Sequence, residues 1–184
     1  RHTEVLTSLI TTLGLERITL LCQDWGGPTG LAQAAMMPER FDRLVIMNTW
    51  LHHAAFEYSE GIRTWNRHWQ DGGLFCRSTP NVAALFLLSA GFIDRDTMVQ
   101  AFLSGEPPVG MDSAGERMYG GFAAPFLGLA DEAYNGLRRF PLSIPLDEGD
   151  NGNAVAQAHH YDVLLKWPKP AHFIWGIEDD VFTE

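Results

Sequence analysis

The segment Gln23-Asp24-Trp25-Gly26-Gly27 constrains this chain more than any other. It is wedged between the apolar run Ile18-Thr19-Leu20-Leu21-Cys22 and a helical stretch from about Pro28 to Met37. A continuous apolar run of that length, bounded by glycines, reads as a buried strand, and proline is acceptable in a first helical turn. Pro38 stops the helix, and Leu44-Val45-Ile46-Met47 is a second run of strand length. Strand, helix and strand within about 30 residues make a βαβ unit, which implies a parallel sheet and an α/β fold.

The spacing of Cys22, Asp24, Gly26 and Gly27 puts a carboxylate at a strand-to-helix turn flanked by small residues. This is the arrangement of a nucleophile elbow, with Asp at the nucleophile position. The small residues let strand and helix close tightly, the turn lifts Asp24 above the sheet, and the helix N-terminus favours its ionised form. The backbone N–H of Trp25 is then a candidate oxyanion donor. The plainer alternative is that Asp24 only caps the helix.

Upstream, Val5, Leu6, Leu9, Ile10 and Leu13 recur at helical spacing, with Thr3 as a candidate N-cap and Gly14 as a stop. From Leu51 to about Leu146, helical segments alternate with turns containing Gly and Pro, and no convincing strand appears. This reads as a helical insertion into the α/β domain. Asp147 to Asn153 reads as an exposed loop, because the ligand positions of a calcium loop are missing. Ala154 to Trp167 has helical character, and His172-Phe173-Ile174-Trp175 returns to the sheet. The expected organisation is therefore a first core segment at 1–50, a helical cap at 51–146 and a second core segment at 147–184.

The net charge of the 184 residues is -10, from 23 acidic and 13 basic side chains, and no basic run occurs. That excludes a nucleic-acid partner on electrostatic grounds. No apolar stretch is long enough for a membrane span, and no signal peptide is visible. Two cysteines, Cys22 and Cys76, make no disulfide scaffold, so a reduced, cytoplasmic setting is the default. No His, Cys and carboxylate cluster has metal-ligand spacing, and neither metal nor cofactor is expected. Oligomeric state is not legible. The chain opens at Arg1 in a helical pattern and ends at Glu184 after a strand-like run, which reads as an internal piece of a longer protein.

The run from Leu20 to Leu31 resembles the elbow of haloalkane dehalogenases, in particular the subfamily with Gln before the Asp. Ala124-Pro125-Phe126 and Tyr134-Asn135-Gly136-Leu137-Arg138-Arg139-Phe140-Pro141 resemble the end of that subfamily's cap, and Trp175 to Phe182 resembles the turn carrying its triad acid. The resemblance implies an α/β-hydrolase fold interrupted by a cap. It implies hydrolysis of a small halogenated substrate through an ester on Asp24, with Asp179 as triad acid. Asp180 is the competitor for that role. Asn48 stands where another subfamily carries Glu. Indole N–H donates without a competing acceptor, which suits a departing halide. Trp25 is the first such donor and Trp65 the expected second, with Trp69 one turn later as competitor. The catalytic histidine is expected outside this chain, after Asp179. An epoxide hydrolase, drawing on Tyr58, Tyr119, Tyr134 or Tyr161, and a non-catalytic scaffold or inactive fragment are the alternatives.

Overall fold

A computed structural model describes residues 1–76, 81–146 and 153–183. It divides into two compact units, one formed by Arg1–Arg63 with Pro145–Glu184 and the other by Thr64–Ile144. The loop expected at 147–153 falls, up to residue 152, outside the described residues.

The first unit is built on a parallel sheet of three strands in the order β1 (Ile18–Asp24), β2 (Phe41–Thr49) and β3 (Ala171–Ile174). The parallel sheet and the βαβ unit expected from the apolar runs are both present. The helix α1 (His2–Thr12) precedes β1. It starts earlier than Thr3, because the Val5 N–H already donates to the Arg1 carbonyl at 3.0 Å. Thr3 is therefore inside the helix and not its cap. Gly14 does terminate it, at φ +60°, in the left-handed conformation that glycine adopts without penalty after a helix.

The helix after the elbow runs from Gly27 to Met36. Its first turn, Gly27–Leu31, is π-helical, and α2 (Ala32–Met36) continues it. Such π turns occur mostly as single-turn bulges, frequently at functional sites. Ile10, Cys22, Leu31, Ala34, Phe41 and Leu44 form the core between these helices and one face of the sheet. Each is an apolar residue on the inward side of its element, at the spacing that made these elements legible.

The helix α3 (Glu60–Trp69) begins in the first unit. The second unit comprises its last residues, α4 (Val82–Ser89), α5 (Arg95–Ser104), α6 (Ser113–Ala123) and α7 (Asn135–Leu142). Three of these helices are opened by side-chain caps: Asn81 accepts from Ala84 N–H, Asp94 from Thr97 N–H, and Asp112 from Ala114 and Gly115 N–H. Trp69, Phe75, Ala84, Met98, Ala101 and Phe102 form its core. The chain then returns to the first unit through α8 (Asn153–Leu164) and β3. Among the described residues, no helix is long and apolar enough to cross a membrane.

Candidate active site

In a parallel sheet the chain leaves every strand on the same side, and ligands bind at the carboxyl ends. Here those ends gather three segments of the first unit: the elbow after β1, the last residues of β2, and the turn after β3.

Asp24 has φ +51°. A non-glycine residue in this region is uncommon, and at a strand-to-helix turn it is the strained geometry that an elbow requires. Burial pushes the Asp24 carboxyl above its ordinary value, the Trp25 N–H bond to it pulls the value down, and the negative charge of Asp179 raises it further. The net direction is upward. An amide aimed at the Asp24 carboxyl is where an oxyanion donor has to be if a covalent ester forms on Asp24, because the tetrahedral carbon of its hydrolysis is then Asp24 Cγ.

The two glycines of the elbow are not equivalent. A Cβ at Gly27 would lie 1.9 Å from Thr49 Oγ1, whereas one at Gly26 would meet Cys22 Cβ at an ordinary 3.5 Å. The strict steric requirement therefore sits at Gly27. Thr49 is Cα partner to Asp24 in the β1–β2 register, and its hydroxyl donates to the Asp24 carbonyl at 2.6 Å. The Thr29 hydroxyl donates to the Trp25 carbonyl.

Asp179 follows β3 in a tight turn. Its Oδ1 accepts from the N–H groups of Val181 and Phe182, both at 2.9 Å, and its Oδ2 accepts from Asn48 Nδ2 at 2.7 Å. The start of α3 presses on this turn. Gly61 has no room for a side chain, since a Cβ there would lie 2.3 Å from the Asp180 carbonyl oxygen. The Ser59 hydroxyl donates to the Val181 carbonyl at 2.6 Å and itself accepts from the Ile62 N–H.

An aromatic stack connects the two turns. Trp25 meets Trp50 edge to face at 4.8 Å, and Trp50 stacks on Phe182 at 5.6 Å and 9°. Beside it lies a cavity of about 360 Å³, lined among others by Thr49, Tyr58, Ser59, Ile62, Val181 and Phe182. That is within the size range of small-molecule sites. Tyr58 is buried, and its hydroxyl pairs with His52 Nδ1 at 3.0 Å.

Of the residues singled out in the sequence, Asp24, Trp25 and Asp179 converge at the strand ends, with Asn48 bonded to Asp179. Trp65 belongs to the other unit. There it is half-buried and packs against Trp69 at 5.7 Å and Phe75 at 5.4 Å, while Trp69 is 2% exposed within that core. Thr49, Thr29 and Trp50 were not singled out by the sequence reading. Only the position of Thr49 and Trp50 at the end of the strand following the elbow could have drawn attention to them.

No protein-family model matches the chain. It is 30% identical over 182 residues to a haloalkane dehalogenase of Psychrobacter cryohalolentis, an alignment covering 98% of this chain and 50% of that protein. It is 31% identical over 186 residues to a cis-3-alkyl-4-alkyloxetan-2-one decarboxylase of Shewanella oneidensis, covering 97% of this chain and 51% of that protein. Among solved structures, a tetrameric haloalkane dehalogenase of Paraglaciecola agarilytica superimposes with a TM-score of 0.67 at 25% identity, over 100% of this chain and 52% of that one. The chain thus spans about half the length of the relatives it matches. Along its whole length it is homologous to haloalkane dehalogenases and shares their α/β-hydrolase fold.

Proposed function

We propose that the full-length protein hydrolyses the carbon–halogen bond of small haloalkanes through an alkyl ester on Asp24. One observation carries the reading: Asp24 stands at a strained turn with the Trp25 amide on its carboxyl and the charge of Asp179 close by. In the first step an Asp24 oxygen attacks the halogen-bearing carbon, the carbon–halogen bond breaks, and halide leaves with the bonding pair. The Trp25 indole donates to the departing halide. In the second step water attacks Asp24 Cγ, the Trp25 amide takes up the developing oxyanion charge, and alcohol and a proton are released. The base for this step is a histidine outside the 184 residues, and Asp179 is the acid that orients it. No cofactor enters the reaction. The compartment is proposed to be cytoplasmic. Nothing at the site favours an epoxide substrate, and the Tyr58 hydroxyl is already engaged by His52.

The relationship to the oxetan-2-one decarboxylase supports one other reading. A four-membered lactone also offers a strained carbon–oxygen bond to a carboxylate nucleophile: attack by Asp24 on the ring carbon frees the ring carboxylate, which leaves as carbon dioxide while its carbon–carbon bonding pair forms an alkene and expels Asp24 as carboxylate.

The full-length protein should therefore be offered short bromoalkanes and a dialkyl oxetan-2-one in parallel. The expected outcome is halide release, with rapid-quench mass spectrometry placing the alkyl group on the Asp24 peptide. Asp24→Ala is expected to lower turnover by about 10⁴-fold or more, and Trp25→Phe to weaken halide binding followed by tryptophan fluorescence. Carbon dioxide release from the lactone without halide release would favour the second reading. Label on a different peptide would remove Asp24 from both.

A further inference from the structure

The last two residues of β2, Asn48 and Thr49, reach in two directions, one to each carboxylate-bearing turn. We propose that this dipeptide is the positioning element for both, Thr49 fixing the elbow for attack and Asn48 fixing Asp179 for ester hydrolysis. The proposal rests on the roles given above to Asp24 and Asp179.

Thr49 is 7% exposed. The β1–β2 ladder is irregular between Cys22 and Asp24, so the Asp24 carbonyl leaves the regular pairing just where φ turns positive. A half-buried carbonyl outside the ladder gains from a donor, and the Thr49 hydroxyl supplies it at 2.6 Å. The same hydroxyl fills the space beside Gly27, so it sets how closely strand end and helix start can approach. Both contacts act on the backbone that aims the Asp24 carboxylate, and neither touches the carboxylate itself.

Asn48 spends its whole amide on the other turn. Its Oδ1 accepts from Gly176 N–H at 2.9 Å, and its Nδ2 donates to the Gly176 carbonyl at 3.3 Å and to Asp179 Oδ2 at 2.7 Å. With the amides of Val181 and Phe182 on Oδ1, the carboxylate is gripped at both oxygens and cannot swing about its Cβ–Cγ bond. A neutral amide is suited to this. It donates to Asp179 without adding the like charge that a carboxylate at the same place would bring.

The two halves of the reaction consequently depend on neighbouring side chains in separable ways. In the full-length protein, Thr49→Val keeps the shape and removes the donor. It is expected to slow ester formation by about 10- to 100-fold, seen as a slower halide burst, with ester hydrolysis little changed. Thr49→Ser restores the hydroxyl and is expected to recover most of the burst rate. Asn48→Ala is expected to do the reverse: a normal burst followed by slow turnover, with alkylated Asp24 peptide accumulating in rapid-quench mass spectrometry. A role in folding alone would lower both steps equally in both variants, and that result would overturn the proposal, as would an unchanged burst in Thr49→Val. If Thr49→Val does not fold, Thr49→Ala with the Ser variant makes the same comparison. If the wild-type protein releases no halide and takes no label, the dehalogenase reading fails, and crystal structures of the variants decide the positioning claim. Asp24 leaving the left-handed region in Thr49→Val, or the Asp179 carboxylate rotating in Asn48→Ala, would uphold it; unmoved carboxylates in both would overturn it.

Discussion

At Asp24 stability and chemistry pull against each other. The residue holds a backbone conformation that an L side chain pays for, and burial makes its charge costly. Its folded pKa is raised, so the unfolded chain gives up its proton at lower pH than the folded one. The penalty is absent below the unfolded value of about 3.9, grows as pH rises through the window up to the folded value, and is fully present above it. Asp24→Asn removes the charge and keeps the shape, and Asn tolerates positive φ. The variant is expected to be more stable than the wild-type protein at pH 7, by on the order of 1 kcal/mol, and to lose that advantage as pH falls below about 3.9. Thermal melts of the full-length pair across that range check it, and an equal advantage at both ends of it would count against a buried, charged Asp24. By the same shift, the acid limb of the halide burst should lie above the value of an unperturbed aspartate.

At the scale of elements, the elbow makes a sharper statement than its glycine count suggests. Gly26 has helical dihedrals, φ -61° and ψ -27°, and room for a Cβ, whereas Gly27 has none. Gly26→Ala is therefore expected to be neutral or to stabilise by about 0.4–1 kcal/mol through the unfolded chain. Gly27→Ala is expected to destabilise by roughly 1–3 kcal/mol or more through overpacking. Denaturant titrations of the two variants should show opposite signs, and two losses of similar size would mean that the turn is crowded throughout. The sequence revealed β1, the helix after it, β2 and β3, because each is marked by an apolar run or a periodic face and bounded by Gly, Pro or charge. It did not reveal Thr49 or the clamp of Asn48 on Gly176 and Asp179. Those contacts depend on strand register across residues far apart in the chain, and a threonine or asparagine at a strand end looks like any other. Thr3 misled for a local reason: a good capping residue was present, but the helix had already begun at His2. The true caps at Asn81, Asp94 and Asp112 are residues of the same kind, but only the structure singles them out.

Taken whole, the 184-residue chain leaves much apolar surface in contact with water. Leu21 on β1 is 64% exposed, and Phe173 and Ile174 on β3 are 70% and 55% exposed. Val5, Leu9 and Leu13 near the start of the chain are exposed as well. β1 and β3 are also the outer strands of the described sheet, with unpaired backbone groups along one side. Expressed alone, the chain is expected to bind a hydrophobic dye strongly and to self-associate as its concentration rises, followed by fluorescence and light scattering. The full-length protein should bind markedly less dye per molecule, and a dye-silent monomer of the 184 residues would refute the expectation.

The close fit of Thr49 against Gly27 also has a meaning for the history of such a chain. One methyl-sized space is shared by two positions, on different elements, and only one of them can occupy it. A lineage that placed a side chain at 27 first would have to shrink residue 49, surrendering the hydroxyl that holds the Asp24 carbonyl. The order of substitutions open to such a chain is thereby restricted, and positions 27 and 49 are expected to change together.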